Sequence, residues 1–373
     1  MVFRSAGAPL GGLLADYVNW RFAFVFQAPL CLIAMLSVYF ALKLPRKEVE
    51  NWGTKFRRID FLGSAILILA VFALLLGLDR GSNDSWTNPV ALVPLCLFAP
   101  LAFLFVFIEF KVAIEPIAPR HIVLERSLIA CYLCNFFAFA AWMAIIFYLP
   151  LFYQAYFQYS ASSAGLGLLP AILASVAGSL SGGLVMQRSG RYYWLTAVAY
   201  TTSALAVIPI VLGTGLLATS VYGISIGLVF SGFGNGIGIT TTLIGLIANA
   251  APEDLAIVTA CSYLFRSSGS AIGLSLASTV VQQSLRNQLG NKLKSGGEAE
   301  NIVRNVRQSL RNINDLSPGL QAIVRECYAT AIQHGFWYSM CLAACAAVVS
   351  CKFGLLGAQG RLTGIQGSFV RKV

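Results

Sequence analysis

Charge is what this chain has least of. Charged side chains make up 11% of its 373 residues, where a soluble domain carries about 25%. That leaves too little polar surface to enclose a water-soluble core. A mean hydropathy of +0.74 points the same way, to an all-α polytopic membrane protein. No long soluble stretch interrupts the pattern, so a helical bundle is expected, because a helix satisfies its own backbone groups in lipid. A redox framework is missing as well. Of the nine cysteines, Cys31, Cys96, Cys131, Cys134, Cys261, Cys341, Cys345 and Cys351 fall inside apolar runs, where thiols behave as small apolar groups. Cys131 and Cys134 form a C-x-x-C, but with no second pair and no nearby His, so no metal is expected. Gly232, Gly234, Gly236 and Gly238 imitate a nucleotide-binding glycine run. No strand precedes them and the segment is apolar, which implies close helix packing instead. With no nucleophile–base set, metal cluster or phosphate loop, the chain is expected to be no enzyme, with no catalytic residue and no cofactor. The first apolar run has neither a basic leader nor a small-residue cleavage site, so a cleaved signal peptide is not expected.

What is present is ten apolar runs, roughly 2–15, 22–42, 61–78, 90–108, 128–151, 164–186, 192–212, 216–248, 255–281 and 329–351. Nearly all reach the ~20 residues that span ~30 Å of hydrocarbon as a helix. The net charge of +11 does not imply nucleic acid, because the cations are sorted by side. One set of loops holds Lys43, Arg46, Lys47, Lys55, Arg57, Arg58, Lys111, Arg120, Arg126, Arg188, Arg191, Lys352, Arg361, Arg371 and Lys372. The short loops opposite hold only Arg21 and Arg80. Fifteen against two places the first set, and the C-terminus, in the cytoplasm. Seven further cations lie between Arg286 and Arg325 in a long loop on the other face. Long loops obey the charge rule poorly. Weak helical periodicity around Ile302, Val303, Leu310 and Ile313 suggests an amphipathic helix on the membrane surface, with a binding module as the alternative.

The segment Phe3-Arg4-Ser5-Ala6-Gly7-Ala8-Pro9-Leu10-Gly11-Gly12-Leu13-Leu14 recurs 262 positions later as Phe265-Arg266-Ser267-Ser268-Gly269-Ser270-Ala271-Ile272-Gly273-Leu274-Ser275-Leu276, with six of twelve positions identical. Such an echo suggests two homologous helical halves. Only three residues precede Arg4, whereas eleven residues of an apolar helix precede Arg266, so the chain is expected to begin partway through a membrane helix. Arg266 is the one charge deep inside a complete span. Buried in lipid, an Arg faces the bundle interior or a watery cavity. It is either a pathway or gating residue or a hydrogen-bond donor to helix ends. Gln27, Asn135, Gln154, Asn235 and Asn249 are candidate cavity linings, or alternatively interhelical glue. A second motif, Gly183-Leu184-Val185-Met186-Gln187-Arg188-Ser189-Gly190-Arg191, lies between two spans on the cytoplasmic side. Its glycines permit a tight turn, and its arginines can latch carboxylates or helix ends of a neighbouring bundle. The plainer reading makes Arg188 and Arg191 positive-inside anchors.

Together these elements resemble the major facilitator superfamily along essentially the whole chain. Pro9-Leu10-Gly11-Gly12 with Asp16 and Trp20-Arg21-Phe22 is similar to that superfamily's antiporter motif, which would comprise Arg4, Gly7, Pro9, Gly11 and Gly12 here. The segment 183–191 matches its cytoplasmic arginine loop, with Gln187 where an Asp is usual. Arg58-Ile59-Asp60-Phe61-Leu62-Gly63-Ser64, Glu115-Pro116, Tyr148-Leu149-Pro150 with Gln154, and Ala164-Gly165-Leu166-Gly167-Leu168-Leu169-Pro170 resemble the fourteen-spanner drug:proton antiporters. Phe26-Gln27-Ala28-Pro29-Leu30 is similar to fungal vacuolar basic amino-acid transporters, whereas multidrug exporters more often have Asn at the glutamine position. The resemblance implies the family's helices five to fourteen. Residues 1–42 would end the N-terminal bundle, 43–127 hold a two-helix insert, 128–356 form a six-helix bundle with a luminal loop at 282–328, and 357–373 be a cytoplasmic tail. It implies proton-coupled antiport of small solutes by a monomer in the bilayer, with basic amino acids moving into the vacuole. Drug efflux at the plasma membrane is the alternative, as is a truncated, non-transporting protein. The family's proton-coupling carboxylate would lie in the missing helices, since Asp16, Asp60, Asp79 and Glu109 all fall at span ends. The 373-residue chain alone is therefore not expected to accumulate lysine or arginine.

Overall fold

A computed structural model describes residues 11, 19–41, 60–83, 86–113, 116, 119–190, 192–215, 219–292 and 318–357, and twelve helices, α1 to α12, are bounded within those described residues. They are α1 (Trp20–Ala41), α2 (Phe61–Asn83), α3 (Pro89–Lys111), α4 (Arg120–Val123), α5 (Arg126–Tyr156), α6 (Ala161–Leu166), α7 (Leu169–Ser189), α8 (Tyr192–Leu205), α9 (Val207–Gly213), α10 (Val221–Asn249), α11 (Leu255–Lys292) and α12 (Pro318–Gly357). Among the described residues there is no strand beyond one isolated bridge, Thr214 to Thr219. Among the described residues eight segments are long and apolar enough to cross a bilayer. The ten runs correspond to those eight, the more polar α11, and a first run of which only Gly11 is described.

Prolines and glycines explain where helices differ from the apolar runs. The run 192–212 is split at Ala206, because Pro209 cannot donate to Leu205 and its ring crowds that carbonyl. Run 164–186 divides likewise into α6 and α7 around Gly167 and Leu168, with Pro170 in the first turn of α7. A Cβ on Gly167 would meet the Tyr153 ring, so the chain passes there only as glycine. At the start of α2, Asp60 Oδ1 accepts from the Gly63 amide at 2.8 Å, an N-cap that explains an acid at this boundary.

The core belongs to α5 and α7–α12. Helix α5 packs against α11 and α12, α7 against α10, and α8 against both α10 and α12. The glycine run sits at the crossing. Added Cβ atoms at Gly232 and Gly236 would strike the backbone carbonyls of Ala171 and Ser175 on α7, while those at Gly234 and Gly238 would meet Ala199 and Tyr200 on α8. Residues four apart share a face and residues two apart oppose one another, so one run lets two helices close on α10 from both sides. The glycines of the second copy of the repeated element act alike. Gly269 lies under the Phe136 carbonyl and Gly273 against Ala140, bringing α11 onto α5.

Two elements stand outside this core. Helix α1 has no buried side chain in its spanning window. Helices α2 and α3 pair with each other, and α2 packs along α11, where Trp86 Nε1 donates to Gln283 Oε1 at 3.3 Å.

The segment 282–328, expected to be a loop, is helical at both ends. Helix α11 runs on to Lys292 and α12 begins at Pro318. Leu285 and Leu289, at 1% and 0% exposure, share one apolar cluster with Val324, Cys327 and Tyr328. A Lys292–Glu326 ion pair at 2.8 Å and a Ser284–His334 hydrogen bond at 2.6 Å tie the same pair of helices. The expected amphipathic surface helix around 302–313 lies outside the described residues.

Candidate transport pathway

Helix α11 is too polar to count among the apolar spans, yet it packs on α2, α5 and α12. Its sequence explains both properties. Val258, Cys261, Ser262, Gly269, Gly273, Ala277 and Val281 are buried, a stripe of mostly small residues at helical spacing. Ala256, Ala260, Tyr263 and Ser267 form a second stripe that stays exposed. Arg266 lies between the two and is half-buried. Its guanidinium carbon sits 5.2 Å from the centre of the Phe139 ring and 5.7 Å from that of Tyr263. Two aromatic faces are an effective stabiliser of a cation that water reaches poorly.

One turn away, a buried polar junction joins three helices. Asn135 of α5 is fully buried; it donates to Ser262 Oγ of α11 at 3.3 Å and accepts from Thr242 Oγ1 of α10 at 3.1 Å. Beside it Tyr132 stacks on Phe265, ring centres 5.1 Å apart, and its hydroxyl donates to the Val258 carbonyl at 3.4 Å. Asn235 is buried two turns from Thr242 on the same face of α10, and its Oδ1 has no hydrogen-bond partner. Between α5, α8, α10 and α12 lies a cavity of about 10 Å³, lined in part by Tyr200, Ser203 and Ser231, room for about one water.

The structure thus brings Arg266, Asn135 and Asn235 into one bundle interior, and leaves other expected positions apart. Gln154 is half-buried on α5, but 19 residues from Asn135 is about 28 Å along a helix. Gln27 is exposed on α1. Asn249 serves as glue, donating to the Tyr192 hydroxyl at 2.9 Å and to its own helix at Gly245. Of the arginine loop, Gly190 ends α7 with φ 65°, a left-handed turn that glycine adopts without strain. Arg188 is exposed and Gly183 has open space where a Cβ would point. Arg191, Arg4, Gly7, Pro9 and Gly12 lie outside the described residues, while Gly11 is helical with no neighbour within 4 Å of an added Cβ.

Several participants carry no sequence signal of their own. Thr242 and Ser262 are ordinary small residues until α10 and α11 meet α5. Phe139 and Tyr263 become partners of Arg266 only through the i, i+3 spacing of one helix and the packing of another. His121 and Asp254, 133 positions apart, pair at 3.3 Å between α4 and the turn before α11. Cys131 and Cys134 are buried free thiols, and Cys134 Sγ contacts the Ala346 carbonyl at 3.8 Å. Among the described residues no group of His, Cys, Asp or Glu is arranged to hold a metal ion.

The family model described as Major Facilitator Superfamily matches residues 2–274. The chain is 32% identical over 349 residues to the multidrug resistance protein fnx1 of Schizosaccharomyces pombe, covering 90% of this chain and 66% of that protein. It is 34% identical over 351 residues to the vacuolar membrane amino acid uptake transporter fnx2 of the same yeast, covering 93% and 59%. It therefore spans about three-fifths to two-thirds of the length of these relatives. In three dimensions it resembles a bacterial homologue of the human lysosomal transporter Spinster, inward-facing and occupied, with a TM-score of 0.52 at 12% identity over 80% of this chain and 67% of that one. This last likeness concerns the fold alone. With nearly three-quarters of its residues inside the matched region and its helices packed in the same fold, the chain belongs to the major facilitator superfamily, a family of multi-pass membrane transporters and not of enzymes.

Proposed function

We propose that this chain belongs to a carrier that moves basic amino acids into the vacuole in exchange for protons. The observation that carries the reading is Arg266, a guanidinium kept inside the bundle by two aromatic rings beside the exposed stripe of α11. A fixed cation repels a cationic side chain, but an amino acid also brings an α-carboxylate. A guanidinium fork matches a carboxylate with two parallel hydrogen bonds. Arg266 would take the carboxylate end, leaving the basic end directed away along the path toward Asn135 and Asn235. The 34% identity to a vacuolar amino acid uptake transporter supports the substrate class and the membrane. On this reading residues 1–42, 43–127, 128–356 and 357–373 keep the roles expected above. Gln27 and Gln154 would mark more distant points of the path, and Gly183, Arg188, Gly190 and Arg191 the conformational loop.

Drug efflux at the plasma membrane is the second reading, favoured by the 32% identity to a multidrug resistance protein. Disrupting the gene in the cells that carry it separates the two. Loss of vacuolar lysine and arginine, restored by the gene for the whole carrier and not by its Arg266→Gln version or by the 373-residue chain alone, is the expected result. Unchanged vacuolar pools together with greater accumulation of a lipophilic dye would replace the proposal with efflux.

A further inference from the structure

Two rings hold Arg266, and their surroundings differ. Phe139 of α5 is 8% exposed and packed into the bundle, whereas Tyr263 of α11 is 64% exposed. Tyr263 stands three residues before Arg266, on the same side of the helix, in the stripe with Ala256, Ala260 and Ser267. Apart from the tyrosine, that stripe is made of small residues. The outward sides of α2 and α3 carry Ile68, Leu69, Phe72, Val93 and Phe103 instead, the bulky apolar surface that suits lipid. The α11 stripe therefore faces a polar path, because an intramembrane charge turns to the bundle interior or to water. The guanidinium carbon lies over the Tyr263 ring, 5.7 Å from its centre, and the exposed part of that side chain borders the path.

An α-amino acid carries a carboxylate and an ammonium on one carbon, so a site that fixes the first must answer the second nearby. The negative face of an aromatic ring does so, and a phenol oxygen adds an acceptor. We propose that Arg266 and Tyr263 together read the head of a free α-amino acid, with its carboxylate on the guanidinium and its α-ammonium on the exposed Tyr263 ring. This pairing rests on the carboxylate role given to Arg266 above and adds a selection rule. The head decides entry. An amine lacking a carboxylate is refused, since it brings only a charge like that of Arg266. Phe139, being covered, takes no part in this recognition and only positions Arg266.

The test is competition for uptake of radiolabelled lysine by vacuolar vesicles that contain the whole carrier. Two competitors dissect the head: 6-aminohexanoate is lysine without its α-ammonium, and 1,5-diaminopentane is lysine without its carboxylate. In the wild type, unlabelled lysine should compete about tenfold better than either. Tyr263→Leu should raise the KM for lysine about fivefold at unchanged kcat. It should leave 6-aminohexanoate competing as before, so that the preference between the two closes. Tyr263→Phe, which keeps the ring, should restore that preference. Abundance equal to the wild type certifies each variant as folded, and a merely structural role would shift all competitors together. An unchanged preference in Tyr263→Leu would overturn the role of Tyr263 and leave Arg266 in place. Lysine uptake absent from the whole carrier, or undiminished in Arg266→Gln, would remove the carboxylate assignment and the head-reading pair with it. Competition by 1,5-diaminopentane equal to that by lysine would overturn the selection rule.

Discussion

Asn135 shows at the scale of one residue how a polar side chain can be structural and central at once. It has no exposed surface and spends both ends of its amide on other helices, Ser262 of α11 and Thr242 of α10. Interhelical hydrogen bonds in membranes average ~0.6 kcal/mol and reach ~1.7. Replacing Asn135 by leucine should therefore lower the stability of the folded bundle by about 1–2 kcal/mol, since two such bonds are lost and the partners stay buried. Reversible unfolding in mixed micelles measures this; an unchanged midpoint would remove Asn135 from the structural role. Sequence reasoning reached Asn135, Asn235 and Arg266 because amide and guanidinium groups are rare inside apolar runs. It could not reach Thr242 or Ser262, whose hydroxyls occur throughout membrane helices bonded to their own backbone, as Ser270 is to Arg266. It placed Glu109 at a span end, where α3 has it, but could not read its burial, for a related reason. Position along a helix was readable, whereas burial depends on which neighbour covers that end.

Among the elements, α11 and α12 depart furthest from their apolar runs. Hydropathy marks where lipid ends, and α-helix need not end there. Leu285 and Leu289, spaced by four, continue the buried stripe of α11 beyond the apolar segment and meet Val324 and Cys327 of α12. That spacing was in the sequence, hidden among the charges of 282–292. The ion pair at the tip has a defined pH behaviour. Glu326 beside it holds the Lys292 ammonium above its ordinary pKa of 10.5. A raised lysine pKa means the stabilisation is complete below the ordinary value and is lost as pH rises through the raised one. Lys292→Met should thus speed amide hydrogen exchange at the end of α11 at neutral and acid-side pH above carboxylate titration. The difference from wild type should vanish only once alkaline pH exceeds the raised value. Equal exchange at neutral pH would show that the apolar contacts alone hold the tip.

For the whole molecule, composition and the glycine pattern carried most of the fold, because lipid leaves a spanning chain few alternatives to helices. The order in which helices pack was not readable in that way. Nothing in the sequence of α2 states that it leans on α11; its packing along that helix and the Trp86–Gln283 bond reveal it. Sidedness rests on the cation count, and it can be checked with two single cysteines. Gly290→Cys places a thiol where the glycine has open space, and Arg188→Cys places one on an exposed turn at the opposite end of the bundle. An impermeant maleimide applied from the cytoplasmic side should label position 188 in intact vesicles, above the background of native thiols, and position 290 only after permeabilisation. The reverse pattern would invert the topology.

The α2–α3 pair connects a lipid-facing surface to the helix that carries Arg266. Its outer surface, with Ile68, Leu69, Phe72, Val93 and Phe103 exposed, is the side that acyl chains would wet, while α2 packs along α11 and the Trp86–Gln283 bond ties the turn after α2 to it. A lipid layer too thin or too thick for these two helices makes them tilt, and the tilt is handed to the helix that carries Arg266. The pair would then act as an outrigger, through which membrane thickness biases the angle of α11.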